Sequence, residues 1–177
     1  MAALLALRTS AGAAEVLQPV AVPKPAFVLR DVTGTDIALD TLRGRVVLVH
    51  FFATWCEPCR EELPALARLI ERAGPSVSVI AISVGEVDVR VRRFMRSMPV
   101  AFPVLLDPER AVAKSWDVYA LPTTYVLDAD LNARLVSNGE FAWDGLTIGD
   151  LRDRLAAPVP KQSFDNHDQP REQQRGG

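Results

Sequence analysis

Cysteine and histidine are scarce in this sequence, with two of each. Tetrahedral zinc takes about four ligands, and Cys56 and Cys59 could be joined only by His50, inside an apolar run, and His167, in a polar tail. That set argues against a metal centre. An excess of one charge is also lacking: 20 Lys and Arg stand against 22 Asp and Glu, so nothing marks nucleic acid or an anionic membrane as a partner. No run approaches the roughly eighteen apolar residues of a membrane span. No internal repeat is visible. What is present is a chain of 177 residues, 49% hydrophobic, enough for one domain with a full core.

The ends differ from the middle. Met1 to Ala14 is rich in Ala and Leu and finishes in small residues, like the latter half of a secretory signal, although it has no basic leading region and Arg8 interrupts it. A signal remnant or N-terminal linker is expected over 1–24, with Gln18 to Lys24 an extended linker and a frayed helix the other reading of the first stretch. From Pro158 the chain is polar and aperiodic, which predicts a disordered tail over 158–177. The domain is expected over 25–157.

Within it, Phe27 to Val32 and Asp36 to Leu39 flank Thr33-Gly34-Thr35 as a hairpin. Val46 to Phe52 and Val77 to Val84 read as strands buried on both faces. A helix is expected from Glu57 to about Ala73, closed by Gly74-Pro75 and kinked at Pro64. Val87 to Met98 is amphipathic, Phe102 to Leu106 a short strand, and Asp107-Pro108-Glu109 the start of a helix through Trp116. Thr124 to Leu127 and Ala133 to Ser137 predict a strand and an antiparallel edge strand, and Thr147 a cap for Ile148 to Ala156. Strands alternating with helices and ending in a hairpin imply an α/β fold, a mixed sheet with helices on both faces.

Both cysteines fall where the first buried strand turns into its helix. Two residues three apart on a helical turn have Cβ atoms about 5 to 6 Å apart, within easy disulfide reach. At the N-cap, Cys56 would feel unpaired N–H groups and the positive helix end, lowering its pKa and making it the attacking thiolate. Cys59, on the apolar stripe, would be buried and resolve the mixed disulfide. Pro58 sits in the first turn, where a missing N–H costs nothing. A purely structural bridge across so short a loop would be a poor staple. Glu62 lies on or beside the buried stripe with no basic residue three or four positions on, so burial would raise its pKa and suit it to exchange protons with the cysteines. An acid merely favoured by the helix N-terminus is the plainer reading.

Phe51 to Pro64, Ser83-Val84-Gly85-Glu86, Phe102 to Asp107 and Leu121-Pro122-Thr123-Thr124 together resemble the thioredoxin superfamily, in its TlpA/ResA-like branch of extracytoplasmic thiol-disulfide oxidoreductases. The likeness runs from about Phe27 to Ala156. It implies a thioredoxin-like fold with an insertion, Glu86 to Leu106, after the second core strand. It implies a cis Pro122 that packs on the disulfide and offers neighbouring backbone to substrate, a functional role for Glu62, and Trp55 as an apolar shield beside Cys56. His50 departs from the pattern, since thioredoxin has a buried acid there; it reads as a hydrogen-bonded core residue or a proton acceptor for Cys59. Glu86 reads as a groove residue or an exposed loop acid, and Trp116 and Trp143 as packing.

By the same resemblance the activity would be exchange between Cys56-Cys59 and protein disulfides, as a reductant, with apocytochrome c a substrate and a membrane thiol-transfer protein the donor. The place would be the periplasm or another extracytoplasmic space, with the cytoplasm as alternative, and the state a monomer. No cofactor is required, because the electrons travel in the sulfurs. A general oxidant or isomerase, or a non-catalytic binding or chaperone module on the same fold, remain open.

Overall fold

The computed structural model describes residues 17–158. The expected signal remnant over 1–14 and all but the first residue of the expected tail lie outside them. The central strand β4 (Val46–Phe52) is apolar at nearly every position and buried on both faces. Because side chains alternate along a strand, it feeds two cores. Val47, Val49 and Phe51 face one of them, Leu48 and Phe52 the other.

Around β4 the chain builds a six-stranded mixed sheet in the order β1, β8, β7, β4, β5, β6. These strands are β1 (Gln18–Val22), β5 (Val77–Val84), β6 (Val104–Asp107), β7 (Thr123–Leu127) and β8 (Ala133–Asn138). β5 and β6 run parallel to β4 and to each other, while β7, β8 and β1 continue on the other side antiparallel. Parallel pairing needs a crossover, and α1 (Glu57–Ala73) supplies the first, α2 (Asp88–Ser97) the second. α1 lays Cys59, Leu63, Leu66 and Leu69 on the Leu48–Phe52 face, joined by Val91 and Met95 of α2 and Leu151 of α4 (Ile148–Ala156). The opposite face is covered by α3 (Ala111–Ser115), Trp116 and the β2–β3 hairpin (Val28–Arg30, Asp36–Ala38). There Trp116 packs edge-on against Phe27 and Tyr125.

The ends of α1 follow from local chemistry. Cys56 is the N-cap and Pro58 lies in the first turn; Gly74, at φ 60°, closes the helix in a conformation that costs glycine little. Thr147 and Asp150 form a reciprocal capping box on α4.

Two expectations are corrected. Gln18 to Val22 is not a free linker: it hydrogen-bonds to β8 and forms the sheet's outer strand. β8 is consequently an inner strand and not the edge. The pattern hid this because an outermost strand has little to bury, and β1 is exposed at four of its five positions. Two helices are also shorter than their spacing suggested, most clearly α3, which begins after Arg110 and not at Asp107. Asp107 is spent instead as the last residue of β6, its carboxylate accepting from the N–H groups of Val112 and Ala113.

Candidate active site

The cysteines stand where the sequence places them, at the C-terminal end of β4 and in the first turn of α1. They are joined as a disulfide with a Cα–Cα separation of 5.3 Å. Cys59 is wholly buried and Cys56 is 6% exposed, so Cys56 is the sulfur nearer solvent. The N–H of Cys56 donates to Ala53 O at 3.1 Å, and its carbonyl receives the N–H of Arg60 at 3.2 Å. Its sulfur makes no capping hydrogen bond to the first turn in this oxidised form, being committed to Cys59. Freed by reduction, a thiolate there would face the unpaired N–H groups and the positive end of a 17-residue helix.

The turn that carries Trp55 and Cys56 is fixed from below by Glu86. This acid is buried, not an exposed loop residue, at 5% exposure. Its Oε2 accepts from Thr54 N at 2.7 Å and Ser83 Oγ at 2.9 Å, and its Oε1 from Thr54 Oγ1 at 2.5 Å. The end of β5 is thereby tied to the loop leading into the disulfide. Trp55 itself is 64% exposed, an apolar surface beside the reactive sulfur.

Glu62 lies one turn beyond Cys59 on the same face of α1 and is 3% exposed. One oxygen accepts from the backbone N–H of Phe141 at 2.6 Å, the other from Trp143 Nε1 at 2.8 Å. Trp143, expected as packing alone, is fully buried and also orients this acid. On the sheet side, His50 Nδ1 stands 3.6 Å from Glu62 Oε2 and 2.9 Å from Thr124 Oγ1, its register partner on β7. His50 is completely buried, and burial pushes its pKa down from 6.5 to about 3, so the ring is neutral near pH 7. Its Nε2 finds no hydrogen-bond partner among the described residues. His50 and Glu62 therefore belong to one buried polar cluster, with Thr124 and Trp143, on the face of β4 that α1 covers.

Pro122 follows in the segment ahead of β7. The Leu121–Pro122 peptide bond is cis, Pro122 is buried, and its carbonyl accepts from Gly139 N at 2.7 Å. Between Trp55 and Leu121 opens a groove of about 350 Å³, further lined by Val118, Tyr119, Arg110 and Lys114. Sequence reasoning missed Thr124 and Trp143 as members of the site. The pairing of His50 with Thr124 appears only once the strand register is known.

Comparison with known proteins bears on the family and the fold. Residues 20–135 match the model of the AhpC/TSA family. Over 107 residues the chain is 41% identical to the thiol-disulfide oxidoreductase ResA of Bacillus subtilis, covering 60% of each chain. Over 139 residues it is 30% identical to ResA of Geobacillus thermodenitrificans, covering 77% of this chain and 76% of that one. The chain thus spans 60% to 62% of the length of several of the curated relatives it matches. Among solved structures, a thiol:disulfide interchange protein of the thioredoxin family from Chlorobium tepidum superposes with a TM-score of 0.62 at 27% identity, covering 77% of this chain and 94% of the other. A DsbF homologue from Corynebacterium diphtheriae gives 0.66 at 21% identity, covering 86% and 98%. The fold is thioredoxin-like, and the insertion between β5 and β6 holds α2. With the family model spanning the sheet from β1 into β8 and the ResA sequences matching through most of the same domain, the chain belongs to the AhpC/TSA family, on its ResA-like side.

Proposed function

We propose that this protein is a thiol-disulfide oxidoreductase. In the reduced form Cys56, as thiolate, attacks one sulfur of a substrate disulfide; a mixed disulfide forms and the substrate's other sulfur leaves as thiolate. Cys59 then attacks the Cys56 sulfur, the Cys56–Cys59 bond closes, and the substrate's second thiol is released. Two electrons pass from protein to substrate, and no cofactor enters. The observation that carries this reading is the position of the pair: one sulfur at the helix N-cap nearer solvent, the other buried one turn behind it. In the same reading Glu62, on the face of Cys59, takes the proton that Cys59 must lose before it attacks, and Trp55 and Pro122 frame the substrate chain.

Following the ResA likeness, we assign the working direction as reductive, the location as extracytoplasmic, and the protein as a monomer. The substrate would be apocytochrome c, in cytochrome c maturation in the periplasm or an equivalent space, with a membrane thiol-transfer protein restoring the dithiol.

Alkylation tests the core of this. In the reduced protein, Cys56 should react with iodoacetamide at neutral pH well above the rate of a thiol of unperturbed pKa. A rate no higher than that leaves the activated thiolate without support. A Cys59→Ser variant should accumulate the mixed disulfide with a disulfide-bonded peptide, which the wild type resolves. The reduction potential decides direction, since about 30 mV corresponds to 1.4 kcal/mol for this couple, and a value near that of strong oxidants excludes the reductive role.

A further inference from the structure

The groove beside Trp55 carries charge of one sign. Arg110, the N-cap of α3, and Lys114, within that helix, both line the groove. Arg110 holds a left-handed backbone conformation, φ 58°, uncommon for a residue with a side chain. Its guanidinium lies across Gly85 at the end of β5, so close that a methyl group on that glycine would collide with it. No carboxylate lines the groove among the described residues.

Three nearby acids are already committed, and Glu109, exposed beside Arg110 in the chain, does not line the groove. Asp107 accepts from the N–H groups of Val112 and Ala113. Asp117 is held by Lys24 at 3.1 Å and receives the Tyr119 hydroxyl at 3.3 Å, and the Lys24 ammonium keeps its carboxyl below the usual range. Glu86 is occupied with Thr54 and Ser83. Arg110 and Lys114 are both exposed, next to two exposed aromatic rings, Trp55 at 64% and Tyr119 at 91%.

We infer that this groove receives the polypeptide flanking the substrate's cysteine and selects for acidic side chains there, through Arg110 and Lys114, with an apolar neighbour covering Trp55 and Val118. The inference rests on the oxidoreductase reading and specifies its substrate class: an extended, disulfide-bearing chain with Asp or Glu within a few residues of the attacked sulfur. The groove begins at the residue before Cys56, so a chain whose cysteine meets Cys56 lays its flanking residues along it. The two cations raise the local concentration of an acidic chain and orient it, while the rings supply contact that is indifferent to charge.

The test uses the full chain in its reduced form and two disulfide-cyclised peptides, identical except that two residues beside the first cysteine are Glu-Glu in one and Lys-Lys in the other. At low ionic strength the acidic peptide should be reduced about tenfold faster, with the ratio shrinking as salt is added. In Lys114→Glu, an exposed helix position, the ratio should fall at least several-fold. Equal rates for the two peptides with the wild-type protein overturn the acidic preference and leave the oxidoreductase reading standing. If neither peptide is reduced, both are overturned. A ratio untouched in Lys114→Glu also overturns the inference, because the preference then arises elsewhere.

Discussion

Trp143 Nε1 reaches across from the segment after β8 to donate to Glu62 Oε2 at 2.8 Å, tying the buried acid of α1 to a ring distant in sequence. Trp143→Phe removes the donor together with part of the buried ring. We expect it to lower unfolding free energy by about 2 kcal/mol in a denaturant titration, from the loss of one hydrogen bond to a buried carboxylate and of buried ring contact. A loss below about 0.5 kcal/mol would mean that the bond contributes little.

Glu62→Gln leaves one amide oxygen to face two donors, Phe141 N and Trp143 Nε1, and removes the group proposed to take the Cys59 proton. The expected result is a slower release of substrate from the mixed disulfide, by about a hundredfold at neutral pH, with an altered pH profile. Stopped-flow measurement over about pH 5 to 9 would check it. A profile identical to that of the wild type would reduce Glu62 to a structural acid.

Glu86→Ala should destabilise the fold by about 3 kcal/mol, since Thr54 N, Thr54 Oγ1 and Ser83 Oγ all lose their acceptor. Glu57→Ala, an exposed position on the first turn of α1, serves as the comparison and should cost well under about 1 kcal/mol. Similar losses in the two variants would remove Glu86 from its place under the Trp55–Cys56 turn.

His50 gives a pH dependence whose sign can be worked out. Its pKa in the fold, about 3, lies below the unfolded value of 6.5, so between those values the unfolded chain binds the extra proton. Stability from this group is therefore complete above about pH 6.5 and is lost as pH falls, by up to about 1.4 kcal/mol per unit. The loss stops growing below about pH 3, where the folded state also takes the proton. His50→Asn, which keeps a polar atom toward Thr124, should flatten that slope in unfolding titrations at successive pH values. An equal slope in the variant would show that His50 is not the group responsible.

Much of this was legible in the sequence because strong local signals agree with the fold. The apolar run of β4, the glycine and proline after α1, and Thr147 ahead of α4 each put an element boundary where the structure has it, or within a residue or two. The cysteine pair is legible because its two members are close in sequence, whereas Pro122 is reached only through the family resemblance. What escaped depends on contacts between distant residues. Trp143 meets Glu62, and Thr124 meets His50, only after strands register and helices dock. Glu86 reads equally as a groove residue or a loop acid because nothing local shows that Thr54 will fold over it. β1 escaped for a different reason: its pairing is made by backbone groups, which leave little trace in side-chain patterning.

Strand β1 runs antiparallel to β8, and through β8 and β7 its Gln18 is level with Val49 while its Val22 is level with Val47. The start of β1 thus lies toward the end of the sheet where β4 hands over to the disulfide, three strand spacings, about 14 Å, to the side. A bead or a carrier tethered directly at Leu17, in a chain begun there, would share its side with the reactive sulfurs. The length of the leash would then govern how large a client can approach them.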